Sequence, residues 1–186
     1  MSEELEVLKI VTRRLNKAEI PYMISGSIAA NSYSIPRMTR DIDIVIELKE
    51  DIIDKFIALF ENDFYINKEM IANEVSQKGM FNLIYNRYVI KIDFIIKKSS
   101  EYHDAEFSNR KQVSIDRCPM WIVSAEDLVI SKLLWAKESH SEMQLKDVAN
   151  LMETVDDLDS KYISNWVRKL GLQQLYKEAD DVRHAS

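Results

Sequence analysis

The pattern of apolar and polar positions separates a first part of the chain, rich in short apolar runs, from a last part with helical spacing. Leu5, Leu8, Val11 and Leu15 recur three or four residues apart, which predicts an amphipathic packing helix over residues 2–18. From residue 125 onward the same spacing predicts helices over 125–137, 141–154, 160–170 and 172–180.

Strands and short helices alternate between these helical regions. Apolar, β-branched runs predict strands over residues 21–25, 41–48, 80–85, 88–96, 112–115 and 120–123. Short helices are predicted over 27–33, 50–62 and 67–78, the last ended by Gly79, with a surface helix or loop over 99–108. Only Asn86 and Arg87 separate the third and fourth strands, which favours a hairpin. The pattern as a whole indicates an α/β (α+β) protein with a C-terminal helical section.

The change from strands to helices near residue 123 is the best candidate for a domain boundary. We expect a core over residues 1–123 and a C-terminal helical section over 124–186 that packs on it. Three glycines and three prolines in 186 residues leave little material for a flexible linker.

Composition describes a soluble globular protein, with 46% apolar and 30% charged residues. The net charge of −6 argues against broad, charge-driven binding to nucleic acid, although a local basic patch is compatible with it. Cys118 is the only cysteine, so an intrachain disulfide is excluded. We expect no membrane span and a cytoplasmic protein, since the sequence has no long apolar run and no leader. Trp121, Trp135 and Trp166 are predicted to lie in the core.

Two carboxylates open the strand predicted over 41–48. Because side chains alternate along a strand, Asp41 and Asp43 face the same side, about 6–7 Å apart along the chain. Carboxylate oxygens on one rigid edge suit a hard divalent cation such as Mg²⁺, which takes its remaining ligands from water and phosphate. The pattern therefore favours a metal site here over the alternative, a solvated strand edge.

Groups suited to phosphate flank this strand. Gly26 permits a close approach of the backbone, and Ser27 can cap the short helix that follows it. A helix N-terminus directs free N–H groups toward an anion, which predicts a phosphate site beside the metal. Arg37 and Arg40 either contact a triphosphate or act as counter-ions to the two aspartates in the empty protein.

A third carboxylate, Asp93, stands between Ile92 and Phe94 in the strand predicted over 88–96. A charge in so apolar a run is costly unless another charge compensates it. Either a metal shared with the first two carboxylates does so, or a salt bridge to Lys91 or Arg40. An antiparallel strand would bring Asp93 beside the other two.

These residues together resemble a known family. A Gly-Ser pair at a helix start, then thirteen residues, then Asp-apolar-Asp-apolar is similar to the signature of the polymerase-β-type nucleotidyltransferase superfamily. That family carries its third carboxylate on a later strand, where this chain has Asp93. The resemblance covers residues 20–96 and implies a small mixed sheet flanked by helices. Ser25 departs from the pattern, since the family has an apolar residue there.

The resemblance also implies an activity. A metal-dependent nucleotidyltransferase moves an NMP group from an NTP, such as ATP, to an acceptor hydroxyl and releases pyrophosphate. It implies two Mg²⁺ ions, or Mn²⁺ in their place, with Asp41, Asp43 and Asp93 as metal ligands and Asp93 accepting the proton of the acceptor. Gly26 and Ser27 would hold the phosphates, and Arg37, Arg40 or Lys132 would neutralise charge. The acceptor is open: RNA such as a tRNA end, a protein, or a small molecule such as an antibiotic.

Within this superfamily, the small bacterial and archaeal nucleotidyltransferases of the abortive-infection toxin type are the most similar. In those proteins two helices carry a Lys and an Asp near the nucleotide, and Lys132 and Asp147 stand at similar places. Lys146 replaces the Arg usual in that pattern, and Asn150 stands where a further Asp is usual. The alternative for Lys132 and Asp147 is ordinary surface charge.

Two rival functions remain open at this stage. The first is a non-catalytic module that binds a nucleotide or a partner protein, such as one component of a toxin–antitoxin pair. A partner protein or a homo-oligomer is compatible with this module and with the enzyme. The second is an acidic α/β protein in which the carboxylates form structural ion pairs. The presence of all three carboxylates favours the enzyme, because a binding role does not need Asp93.

Overall fold

The computed structural model describes residues 2–36, 39 and 41–185 and divides them into two compact units. The first unit comprises the described residues of Met1–Ile28 and Met38–Ile122, and the second those of Ala29–Arg37 and Val123–Ser186. The second unit thus includes a short segment from the first part of the sequence, which the pattern of strands and helices does not predict. Among the described helices, none has the length and apolarity that a membrane span requires.

The first unit is built around a seven-stranded mixed sheet with the strand order β3-β4-β5-β2-β1-β7-β6. Its strands are β1 (Tyr22–Ile24), β2 (Ile42–Ile46), β3 (Phe64–Tyr65), β4 (Met80–Tyr85), β5 (Ile90–Ile96), β6 (Lys111–Ile115) and β7 (Cys118–Ile122). Strands β4 and β5 pair antiparallel, which confirms the predicted hairpin. The central pair, β2 and β5, is parallel. The prediction that an antiparallel strand brings Asp93 beside Asp43 is therefore wrong about the strand direction, because β5 runs parallel to β2.

Helices of the first unit follow the predicted apolar spacing. They are α1 (Glu3–Ala18), the start of α2 (Gly26–Tyr33), α3 (Ile53–Phe60), α4 (Lys68–Gln77) and α5 (Glu101–Ser108). Ser2 caps α1 by accepting a hydrogen bond from the amide of Leu5, and Asn67 caps α4 in the same way through the amide of Met70. On one face of the sheet Phe81 and Phe94 stack, and Phe56 of α3 contacts both rings edge-on.

Three helix ends use a left-handed residue that is not glycine. Glu19 after α1, Lys78 after α4 and His140 after the later helix Ala125–Ser139 have φ values of 56°, 53° and 53°. Gly79 was predicted to end α4, but Lys78 adopts the left-handed conformation instead. A Cβ on Gly79 would lie 1.9 Å from Glu74 Oε2, the end of a flexible side chain that could turn away.

The second unit is helical, with α6 (Ala125–Ser139), α7 (Glu142–Thr154), α8 (Ser160–Lys169) and α9 (Gln173–Ala185). Ser124 Oγ accepts from the amide of Asp127 and donates to its carboxylate, which confirms the predicted helix start. Tyr33, at the end of α2, donates its hydroxyl to the carbonyl of Val123 at 2.8 Å. Trp166 is buried, but Trp135 is 46% exposed, so its assignment to the core is wrong.

Candidate active site

One row of residues, which we call the carboxylate row, crosses β4, β5 and β2 and ends at the residue after β1. Asp43 of β2 and Asp93 of β5 are register partners, and Asn82 of β4 is the partner of Asp93 on the other side. Ser25, directly after β1, donates its amide to the carbonyl of Asp43 at 2.9 Å. Register partners project to the same face, so the two carboxylates share one side of the sheet, on strands about 4.8 Å apart. Their apolar neighbours, such as Ile42 and Ile92, are fully buried on the other side.

The carboxylate of Asp43 lies directly against Gly26. This glycine has a φ of +60°, and a Cβ built on it would lie 1.9 Å from Asp43 Oδ2. Any side chain at this position would therefore collide with the carboxylate as well as strain the backbone. Gly26 begins α2 and Ser27 follows it, so the phosphate-site residues predicted from the sequence adjoin one of the predicted metal ligands.

Asp93 is 7% exposed, and its two oxygens have different surroundings. The Oδ2 atom accepts an ion pair from Lys91 Nζ at 2.7 Å. The Oδ1 atom is buried and has no hydrogen-bond partner among the described residues. The hydrogen bond to Asp93, strengthened by the charges of Asp41 and Asp43, raises the pKa of Lys91 above its ordinary value. Lys91 thus keeps its positive charge beside the three carboxylates.

Asp41 differs from the other two carboxylates in its position. It precedes β2 and is exposed, and its amide hydrogen-bonds the hydroxyl of Thr39 at 3.3 Å. The strand begins at Ile42, one residue later than the pattern predicted. Asp41 therefore lies in exposed chain just before the strand, while Asp43 and Asp93 are held within the paired strands β2 and β5.

The chemistry of the row fits a divalent cation. Two carboxylates side by side repel each other, and a buried carboxylate oxygen without a partner needs a positive ligand or a proton. Asp43 and Asp93 would hold such an ion, with Asp41 reaching it from outside the strand. Across the described part of the chain, no three His, Cys, Asp or Glu side chains lie close enough together to hold one metal ion.

Lys132 and Asp147 form a buried ion pair within the second unit. Their Nζ and Oδ2 atoms are 2.7 Å apart, and Lys132 also donates to Gln144 Oε1 at 3.1 Å. Lys132 is 3% exposed and Asp147 is 7% exposed. The reading of these residues as ordinary surface charge is therefore wrong. The pair joins α6 to α7, and a nucleotide role for Lys132 stays a prediction.

Two residues of the carboxylate row are not recognisable as site residues from the sequence alone, and two predicted site residues lie outside the described part of the chain. Asn82 was not singled out, because only the strand register shows that it is beside Asp93. Ser25 was noted as a departure, and its position beside Asp43 gives it a place in the row. Arg37 and Arg40, the predicted triphosphate contacts, lie outside the described residues.

Comparisons with known proteins give the fold. No protein-family model matches the chain, and no curated protein matches it. A nucleotidyltransferase-like antigenic protein from Paracoccidioides brasiliensis has a similar structure, with a TM-score of 0.65 and 16% identity over 99% of this chain and 93% of that one. An inferred nucleotidyltransferase from Thermotoga maritima has a TM-score of 0.54 and 17% identity over 77% of this chain and 91% of that one.

A lincosamide antibiotic adenylyltransferase, solved with lincomycin bound, has a TM-score of 0.52 and 13% identity over 83% of this chain and 98% of that one. These three structures are of a nucleotidyltransferase-like protein, an inferred nucleotidyltransferase and an adenylyltransferase, so they identify the fold of this chain. The chain has the nucleotidyltransferase fold, and the predicted α/β architecture of a mixed sheet flanked by helices is confirmed.

Proposed function

We propose that this protein is a metal-dependent nucleotidyltransferase that moves an NMP group from an NTP to an acceptor hydroxyl. One observation carries the proposal: Asp43 and Asp93 are register partners on adjacent strands of a nucleotidyltransferase fold. The closeness of Gly26 to Asp43 supports it, because it joins the start of a helix to the carboxylate row. Mg²⁺ is the expected cation, with two ions at the site and Mn²⁺ as a substitute.

The chain's own residues supply the parts of a group transfer. The start of α2, with Gly26 and Ser27, binds the phosphates, and Asp41, Asp43 and Asp93 hold the metal. The acceptor oxygen attacks the α-phosphorus, the bond from that phosphorus to the bridging oxygen breaks, and pyrophosphate leaves. Asp93 accepts the proton of the acceptor hydroxyl. A divalent cation, when bound, supplies positive charge for the phosphate oxygens on both sides of the transferred group.

ATP is the first donor to test, because an adenylyltransferase shares the fold. That structural neighbour holds an antibiotic, which makes a small hydroxyl compound one candidate acceptor. A tRNA end and a protein side chain remain the other candidates. Membership of the abortive-infection toxin type would favour a partner protein from a toxin–antitoxin pair.

Thermal unfolding with each of ATP, GTP, CTP and UTP, with and without Mg²⁺, tests the proposal. A ligand that binds only the folded state raises Tm by mass action. We expect a shift that needs both metal and nucleotide, is absent in Asp43→Asn and is retained in Asp54→Asn, an exposed carboxylate of α3 that serves as the control. Equal shifts in Asp43→Asn and the control would contradict the proposed site.

A non-catalytic binding module is the second candidate function. The ion pair between Lys91 and Asp93 favours it, because it gives Asp93 a partner without a metal. A nucleotide-dependent rise in Tm would accompany either function. Transfer of labelled nucleotide to RNA, protein or an antibiotic would identify the enzyme, and binding without transfer in the presence of each acceptor would favour the module.

A further inference from the structure

The candidate site already contains a positive charge, supplied by its own chain. We propose that the Lys91 ammonium occupies a cation position beside Asp93 in the free protein, so that a divalent cation enters only by displacing it. This inference rests on the proposed function, because it concerns the metal that the carboxylate row would hold. It assigns Lys91 the role of selecting a metal–triphosphate complex over the free metal.

The geometry supports a competition for one carboxylate. Lys91 stands two residues before Asp93 on β5, so both side chains project from the same face of the sheet. Its Nζ atom is 2.7 Å from Asp93 Oδ2, an ordinary distance for a charged hydrogen bond. A divalent cation held by either oxygen of this carboxylate, including Oδ1, which has no hydrogen-bond partner among the described residues, would lie close to the ammonium. Repulsion between the two positive charges in a largely buried site therefore disfavours having both there.

Burial shows which partner can leave. The Asp93 side chain is 10% exposed, and β5 fixes its backbone between β2 and β4. The Lys91 side chain is 46% exposed and has a long flexible stem, so it can turn toward solvent without breaking the sheet. The ammonium is therefore the mobile member of the pair, and the carboxylate stays in place when a cation arrives.

The charge balance explains why a nucleotide would make the exchange favourable. Among the described residues, the Lys91 ammonium offsets part of the negative charge of Asp41, Asp43 and Asp93, so a free divalent cation is attracted less strongly than it would be without Lys91. A triphosphate brings new negative charge, to which a displaced Lys91 can turn. Metal and nucleotide should therefore bind with positive cooperativity, and Lys91 should be a cause of it.

Binding of Mn²⁺ without nucleotide, measured by the electron paramagnetic resonance signal of the free ion, tests this directly. We expect Lys91→Met to bind Mn²⁺ roughly tenfold more tightly than the wild type, because a competing charge is gone. Lys98→Met is the matched control, since it removes the same charge from an exposed position nearby on the chain. Lys91→Arg keeps the charge and should bind Mn²⁺ as weakly as the wild type.

Further arms separate competition from a general effect. The gain should disappear in Lys91→Met/Asp93→Asn, and ATP should strengthen Mn²⁺ binding less in Lys91→Met than in the wild type. Equal affinities in Lys91→Met and Lys98→Met, or weaker binding in Lys91→Met, would overturn the inference and leave the proposed function standing. Absence of Mn²⁺ binding from every variant, with ATP present, would overturn both.

Discussion

At the scale of single residues, Gly26 of the proposed phosphate site lies directly against Asp43 of the proposed metal site. Because Gly26 has no Cβ, the carboxylate of Asp43 can lie directly against it. A Cβ on Gly26 would lie 1.9 Å from Asp43 Oδ2. A sequence pattern explains this glycine only by its backbone freedom. The structure adds a second reason, which is the space that the carboxylate occupies.

Replacement of Gly26 by Ala should therefore disable the site. A left-handed φ costs a non-glycine residue roughly 1–2 kcal/mol, and the collision with Asp43 should add roughly 1–3 kcal/mol to the loss of stability. We expect Gly26→Ala to lower the free energy of unfolding in urea and to abolish the Tm shift that metal and nucleotide produce.

Gly171→Ala is the matched control for this change. Gly171 has a φ of +65°, close to that of Gly26, but its Cβ would meet only Lys137 Nζ at 3.8 Å. This variant should lose stability by the backbone cost alone and should keep the nucleotide-dependent shift. Loss of the shift in both variants, or in neither, would show that the contact with Asp43 is not the reason.

At the scale of elements, the ion pair of Lys132 and Asp147 joins two helices of the second unit. Lys132 is 3% exposed and Asp147 is 7% exposed, so removal of either residue would leave a buried charge without its ion pair. Breaking a buried pair on one side is far more costly than replacing both members by apolar residues. This asymmetry separates a structural role of the pair from a role with the nucleotide.

We expect Lys132→Met to lower the free energy of unfolding by about 3–5 kcal/mol, because the buried carboxylate of Asp147 loses its ion pair with Lys132. Unfolding in urea, followed by circular dichroism, measures the loss. The double variant Lys132→Met/Asp147→Leu should recover most of it. A single variant as stable as the wild type would contradict the buried pair. A double variant that is stable but shows no nucleotide-dependent Tm shift would support the predicted nucleotide role of Lys132.

The strands that carry the site were predictable from sequence because their pattern is local. Apolar and polar residues alternate around Asp43, and the run around Asp93 is apolar enough to define a strand by itself. Spacing placed Gly26 before the first of these strands. Helix α6 was equally predictable, since Ser124 and Asp127 form its start.

Other features depend on contacts between distant parts of the chain. The parallel pairing of β2 with β5 is set by the whole sheet, and the short β3 gains its place only by pairing with β4. The sequence named Lys91 as one of two possible partners for Asp93, and only the folded side-chain positions show the ion pair. Trp135 was misplaced because a tryptophan at helical spacing does not reveal which face of the helix is covered.

At the scale of the whole molecule, the negative net charge limits which macromolecules the protein can bind. A protein with a net charge of −6 should not be drawn to the phosphate backbone of nucleic acid as a whole. We expect no measurable binding to duplex DNA of random sequence at about 150 mM salt, as judged by fluorescence anisotropy. Binding that weakens steeply with added salt would contradict this expectation and would point to a concentrated basic patch.

The non-glycine helix ends have a consequence for engineering. Glu19, Lys78 and His140 each hold a conformation that glycine adopts without steric cost, and they close three separate helices. None of them belongs to the carboxylate row. Replacement of any of these three residues by glycine should therefore raise the thermal stability of the protein. None of the three substitutions would alter the carboxylate row.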